Sequence, residues 1–232
     1  MTESVTRQGR VVFLLDVDNT LLDNDRIVED LKAELIRQVG VQRQERYWMF
    51  FEECRTTLGY ADYLGTLQRF RLEDPHDPHL IAISSFLMNY PFARRVYEGA
   101  FDVIRHLSAH GQTVILTDGD VVFQPLKLER SGLLDAVEGR VLLYVHKEME
   151  LADVVRRFPA DHYVFVDDKI RLLTAIKNAW KERVTTIFPL QGHYAADPSV
   201  ATYPQPDLTI HRIEDLMGYY PKPAAAPQGR PE

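Results

Sequence analysis

Residues 11–16 read VVFLLD, an unbroken apolar run closed by a carboxylate. A run of this length with β-branched members predicts a strand buried on both faces, as in a parallel sheet. Runs of the same kind recur at 113–117 (TVILT), 141–145 (VLLYV), 163–166 (YVFV) and 184–188 (VTTIF). Between them the apolar spacing changes to a helical one. Residues 100–110 put Phe101, Ile104 and Leu107 on one stripe and stop at Gly111; 121–130, 148–158 and 171–181 carry similar patterns. Strands alternating with helices predict right-handed βαβ units and an α/β fold built on a doubly wound parallel sheet.

Residues 25–95 break this rhythm. They hold long helical patterns at 26–39 and 44–58 and shorter ones at 60–71 and 80–88, punctuated by Pro75, Pro78 and Pro91, with no convincing strand. The expected organisation is an α/β core made of 1–24 and 96–218, interrupted by a smaller all-helical cap at 25–95. A tail at 219–232, rich in proline, alanine and glycine, is expected to be disordered. An insert after the first strand would lie over the carboxyl ends of the sheet, where open α/β folds bind ligands. That makes it a lid candidate.

Composition narrows the partners. A formal net charge of -7 argues against nucleic acid, whose phosphates require clustered positive charge. It leaves phosphorylated small molecules open, because a bound cation can reverse the local field. The one cysteine, Cys54, excludes an intramolecular disulfide and fits a reducing compartment. With no apolar leader and no run long enough to cross a bilayer, the expected location is the cytoplasm, with no membrane partner. Nothing in the composition sets an oligomeric state.

Three of the strand ends carry unusual polar groups. The first gives Asp16, Asp18 and Thr20; the second gives Thr117, Asp118, Gly119 and Asp120; the fourth gives Asp167 and Asp168. Lys147 follows the third. In a parallel sheet these carboxyl ends share one edge, so groups far apart in sequence can converge. Clustered carboxylates repel one another unless a cation sits among them, and an all-oxygen donor set suits Mg²⁺. A carboxylate can attack phosphorus and form an aspartyl-phosphate. Asp18 could then protonate the leaving oxygen and later activate water. Thr117 and the N–H groups of Asp118 and Gly119 could hold the remaining phosphate oxygens, with Lys147 supplying positive charge.

The order of these elements resembles the haloacid dehalogenase (HAD) superfamily. Asp16-Val17-Asp18-Asn19-Thr20 matches its Asp-x-Asp-x-Thr motif, Thr117 its second motif, Lys147 its third and Asp167-Asp168 its fourth. Residues 97–132 are also similar to family members: YEG before a helix, then ILTDG, then QPLKLERSGL. The likeness spans 10–24 and 96–188; the insert matches only in position and helical character. The resemblance implies a phosphatase-type hydrolase with a helical cap. Asp16 would be the nucleophile and a Mg²⁺ ligand, Asp18 the acid/base with its backbone carbonyl on the metal, and Asp167 and Asp168 the rest of the metal site. Dehalogenases of the superfamily lack an acid at the second motif position, so Asp18 favours phosphate over halide chemistry. Asp118 departs from the family pattern, which often has Asn there, and no further acid follows Asp168 within a few residues.

The expected substrate is a small phosphorylated metabolite, hydrolysed through phospho-Asp16. A phosphotransferase or phosphomutase would use the same groups, and a non-catalytic binding protein on the same fold is the third reading. Other candidates have plainer explanations. Lys127 is assigned to the scaffold of its helix, His146 to solvent, and the 191–194 segment QGHY to a turn around Gly192. Arg43, Arg46 and Arg55 lie among Tyr47, Trp48, Phe50 and Phe51 in the insert, where helix packing accounts for the aromatics. Cys54 reads as a small packed hydrophobe.

Overall fold

The structure is a computed structural model and describes residues 9–221. Six strands form one parallel sheet: β1 (Val11–Leu15), β2 (Gln112–Asp118), β3 (Val141–Tyr144), β4 (His162–Val166), β5 (Val184–Pro189) and β6 (Leu208–Ile210). Their order is β3-β2-β1-β4-β5-β6. The chain therefore builds outward from β1 in one direction and then, from β4, in the other. The direction reverses between β1 and β4, and at such a switch point the carboxyl ends of neighbouring strands open a crevice.

The two-sided burial expected of the apolar runs holds for β1 and β4, whereas in the edge strand β3 only Leu142 is buried. Phe13, Leu15, Val164 and Val166 face one layer, while Val12, Leu14, Tyr163 and Phe165 face the other, and all eight are buried. The first layer is closed by α4 (Ala100–Ser108) and α5 (Phe123–Ser131), with the short α6 (Leu133–Ala136) beside them. The second is closed by α7 (Leu151–Arg157) and α8 (Ile170–Trp180). The doubly wound α/β sheet is thus borne out. The strand at β6 has only three residues and gives no periodic signal of its own. The expected 148–158 helix divides into a 3₁₀ turn at Lys147–Met149 and then α7.

Between β1 and β2 lie α1 (Asn24–Leu58), α2 (Tyr63–Phe70) and α3 (Leu80–Asn89), with no strand among them. The two helical patterns at 26–39 and 44–58 meet as one helix broken at Gly40, whose backbone has φ 81° and ψ 169°. Glycine takes a left-handed φ without a Cβ penalty, which allows the break. The first half buries Ile27, Leu31 and Leu35, one turn apart; the second buries Tyr47, Phe50 and Phe51. Asp23 caps the start of α1 by accepting from the Arg26 N–H at 2.9 Å. Asp62 does the same for α2 through Gly65, so α2 begins later than its apolar pattern suggests. Tyr47 ties the two together, donating to the Tyr63 carbonyl at 2.9 Å and packing its ring edge-on to Phe70.

Among the described residues, no helix is long and apolar enough to cross a membrane. Of the tail at 219–232, residues beyond 221 lie outside the described residues.

Candidate active site

Sheet register brings the acidic strand ends together. Leu15 pairs with Val166, so the residues that follow, Asp16 and Asp167, leave adjacent strands side by side. The Asp16 N–H donates to the Val166 carbonyl at 3.0 Å and carries the pairing one residue further. Asp16, Asp167 and Asp168 each offer an oxygen within 4.8 Å of the others, and all three are buried. Lys147 sits among them, fully buried, with Nζ 2.5 Å from Asp16 Oδ1 and 3.2 Å from the Leu116 carbonyl. Asp167 Oδ2 lies 2.6 Å from the same ammonium, close enough to pair by charge although not aligned as a hydrogen bond. Asp16 Oδ2 and both oxygens of Asp168 have no partner.

Such a cluster is electrostatically unfinished. Burial pushes the Asp167 carboxyl up to about 6, with Asp16 adding to the rise and Lys147 opposing it. Burial also drives Asp168 well above the carboxylate range, reinforced by the charges of Asp16 and Asp167. Burial alone would lower Lys147, but Asp16, Asp167 and Asp118 outweigh it and hold the ammonium charged. Three carboxylates against one bonded ammonium leave a negative excess, and unpartnered buried oxygens are costly. A hard divalent cation with oxygen ligands is the group such donors fit.

The loop after β1 is wound tightly. The Val17 carbonyl accepts from the N–H groups of Thr20, Leu21 and Leu22, and Asn19 adopts a left-handed φ of 60°. Asn19 Oδ1 accepts from the backbone of Asn24 and Asp25, so the loop and the start of α1 form one unit. Asp18 stands apart from the carboxylate trio. Both its oxygens accept from Lys127 Nζ, at 2.7 and 2.9 Å. This corrects the assignment of Lys127 to scaffold: its side chain leaves α5 and ends in the site. A lysine inside a helical pattern carries no sequence mark of where its ammonium goes.

Thr117 is buried, and its hydroxyl accepts from Gln124 Nε2 at 2.9 Å, a contact the sequence did not reveal. Gly119 has different work from that expected. Its N–H donates to the Tyr144 carbonyl at 3.0 Å, and a Cβ there would meet the Gln124 side chain at 2.9 Å. Asp118 Oδ1 accepts from the Lys147 N–H at 2.8 Å, so this departure from the family pattern staples the Lys147 loop. Burial raises the Asp118 carboxyl.

Beside these groups opens a cleft of about 760 Å³, lined by the core and the insert together and reached by Asp18 and Asp118, with the buried trio and Lys147 behind its wall. The insert contributes Lys32, Trp48 and Arg55; the core contributes Asp18, Asp118 and Lys169. Lys169 went unnoticed in the sequence because it simply follows the acidic pair. Burial would lower it, yet Asp16, Asp168 and Asp167 raise it overall, and its ammonium lies 5.3 Å from the Tyr194 ring. Arg43 and Arg46 turn away from the cleft, pairing with Asp77 and Glu73 within the insert. His146 does line the cleft.

The 191–194 segment is more than a turn. It begins α9 (Gly192–Ala195), and Gln191 donates to the carbonyls of Asn19 and Thr20 at 3.4 and 3.3 Å. A Cβ on Gly192 would meet Asn19 at 2.5 Å, and His193 bonds Asp25. The segment clasps the β1 loop.

A family model described as haloacid dehalogenase-like hydrolase matches residues 11–179, most of the chain. The chain belongs to the haloacid dehalogenase-like hydrolases. It is similar to a haloacid dehalogenase-like hydrolase from Burkholderia xenovorans LB400, with 58% identity over 91% of this chain and 99% of that one, at a TM-score of 0.86. Two more distant structures share the fold of this hydrolase. One is L-2-haloacid dehalogenase from Xanthobacter autotrophicus, 16% identical over 90% and 96% of the two chains (TM-score 0.57). The other is the HAD-hydrolase YfnB from Bacillus subtilis, bound to magnesium, 17% identical over 90% and 97% (TM-score 0.58). None of the curated proteins matches this chain.

Proposed function

We propose that this HAD-like hydrolase cleaves a small-molecule phosphate monoester, with Asp16 as nucleophile and Mg²⁺ held by Asp16, Asp167 and Asp168. The observation that carries the reading is the trio itself. Its buried oxygens converge beside Lys147, and three of them have no partner. Bound Mg²⁺ would neutralise the trio and offset charge on the phosphoryl group.

The chain's own groups account for the rest. An oxygen of Asp16 forms a bond to phosphorus as the ester P–O bond breaks, and Asp18 gives its proton to the departing oxygen. Lys147 stays charged beside the reacting carboxylate, where positive charge favours the more negative transition state. The Thr117 hydroxyl, which Gln124 fixes, and the N–H of Asp118 would hold the non-reacting oxygens. In the second step water attacks phosphorus and gives a proton to Asp18, releasing Asp16 and inorganic phosphate. A helical insert (25–95) that acts as a cap over the cleft would exclude bulk water from the first step.

Asp18 favours phosphate over halide. A departing halide needs no proton, whereas an alkoxide does. A cleft of about 760 Å³ suits a metabolite-sized substrate. A phosphotransferase would share the first step and differ only in the acceptor of the second. The test is release of inorganic phosphate from an aryl phosphate and a panel of phosphorylated metabolites, with and without Mg²⁺. Turnover that needs Mg²⁺ and disappears in Asp16→Asn is expected. Phosphate transferred to a sugar hydroxyl instead of water would reassign the chain to phosphotransfer. Halide release from a 2-haloacid, with no phosphatase activity, would overturn the proposal.

A further inference from the structure

Lys127 is 1% exposed, a costly place for an ammonium unless every proton finds an acceptor. It finds three: Asp18 Oδ1 at 2.7 Å, Asp18 Oδ2 at 2.9 Å and Asn24 Oδ1 at 3.1 Å. Its position differs from that of Lys147, which serves Asp16 and Asp167. The two buried lysines thus divide the acidic strand ends between them, one on Asp16 and Asp167 and one on Asp18. The Asp18 carboxylate keeps 27% of its side chain open and lines the cleft, so Lys127 grips it from behind while its front stays accessible. Asn24 is the first residue of α1. The Tyr63 phenol, on α2, is pushed up by burial and then by the charge of Asp18, which places the insert close to the same carboxylate.

We propose that Lys127 is a positioning residue for proton transfer by Asp18, an inference that rests on the phosphatase reading above. Two hydrogen bonds from one ammonium fix both oxygens of a carboxylate, and with them its plane and reach. The third bond, to Asn24 Oδ1, ties the ammonium to the start of α1, so the clamp and the carboxylate it holds share one frame. A clamp of this kind matters in proportion to how much a step needs Asp18. A nitrophenolate departs without a proton, but an alkoxide does not, and the attack by water needs a base whatever has left.

The test compares wild type, Lys127→Met, Lys127→Arg, Asp18→Asn and the Lys127→Met/Asp18→Asn double variant. Each is assayed with Mg²⁺ on 4-nitrophenyl phosphate and on an alkyl phosphate, with thermal melting as a check of folding. For Lys127→Met, kcat/KM should fall roughly 100-fold on the alkyl ester and less than about 5-fold on the nitrophenyl ester, within the general range for acid–base catalysis. Its kcat should fall on both esters, because the water step is shared. Lys127→Arg should recover most of the loss, and the double variant should be no slower than Asp18→Asn alone. If Lys127→Met does not fold, Lys127→Gln replaces it: the same leaving-group pattern supports the proposal, and equal losses on both esters overturn it. Equal losses on both esters, additive with Asp18→Asn, would show that Lys127 only braces the loop. A wild type inactive on every phosphate ester would instead remove the phosphatase reading and this inference with it.

Discussion

Stripping divalent cations and raising the pH from about 5 to about 7.5 is expected to destabilise the protein, and Mg²⁺ is expected to reverse the loss. The magnitude follows from Asp167, whose carboxyl is raised by burial from 3.8 to about 6. A group with a folded-state value above its unfolded one binds its proton more tightly when folded. Its stabilising effect is present at low pH and is lost as pH rises from about 4 through about 6. A shift of roughly two units at about 1.4 kcal/mol each amounts to about 3 kcal/mol. At about 2–4 °C per kcal/mol for a chain of this size, Tm should drop by roughly 6–12 °C. Asp168, raised in the same direction, deepens the fall.

Opposing groups can be separated. Asp30, Asp77 and Asp207 have lowered values, so their contributions are complete by about pH 5 and constant above it. His162 is lowered by burial, so its effect grows as pH rises through the ordinary histidine value. That effect is common to both arms and cancels in the difference. The assay is Tm by differential scanning fluorimetry across this pH range, in EDTA and in millimolar Mg²⁺, for wild type and Asp168→Asn. The gap between the arms should widen with pH in wild type. In Asp168→Asn the metal-free protein should be the more stable of the two at neutral pH, and the Mg²⁺ response should be lost. Identical melting in both arms at pH 7.5 would refute the reasoning.

Two further predictions rest on backbone and charge. Gly40→Ala forces a left-handed φ in open space and should cost about 1–2 kcal/mol without affecting activity. Gly192→Ala adds to that strain a collision with Asn19; it should cost more, and kcat should fall as the β1 loop shifts, so equal melting and activity in the two variants would contradict this account. Asp30, bonded to Arg95 and Tyr90, has a lowered pKa despite burial, so it contributes stability above its unfolded value that disappears as pH falls through the lower folded one. Asp30→Asn should therefore lower Tm at pH 7 and leave it nearly unchanged at about pH 2.

The parts of the fold written in apolar periodicity were legible in the sequence, and so were the groups placed by strand ends. Five strands each carry enough consecutive apolar residues to be read, and once they are parallel, Asp16 and Asp167 must meet. The three residues of β6 fall below what periodicity can register. Contacts made by long side chains were hidden for another reason. Lys127, Gln124 and Gln191 each reach the site from elements whose local pattern says nothing about where the side chain ends. Lys147 was readable because it stands just beyond a strand, whereas Lys127 lies mid-helix. Gly119 was misread because its N–H takes one more rung of the β2–β3 pairing, a matter of register that a single sequence does not contain.

Gln191 joins the carbonyls of Asn19 and Thr20 to the N–H of Ile213, residues far apart along the chain. During synthesis the first strand and its acidic loop emerge early, long before the residues that brace them. The loop between β1 and α1 therefore stays without this brace until Gln191 and Ile213 have been made.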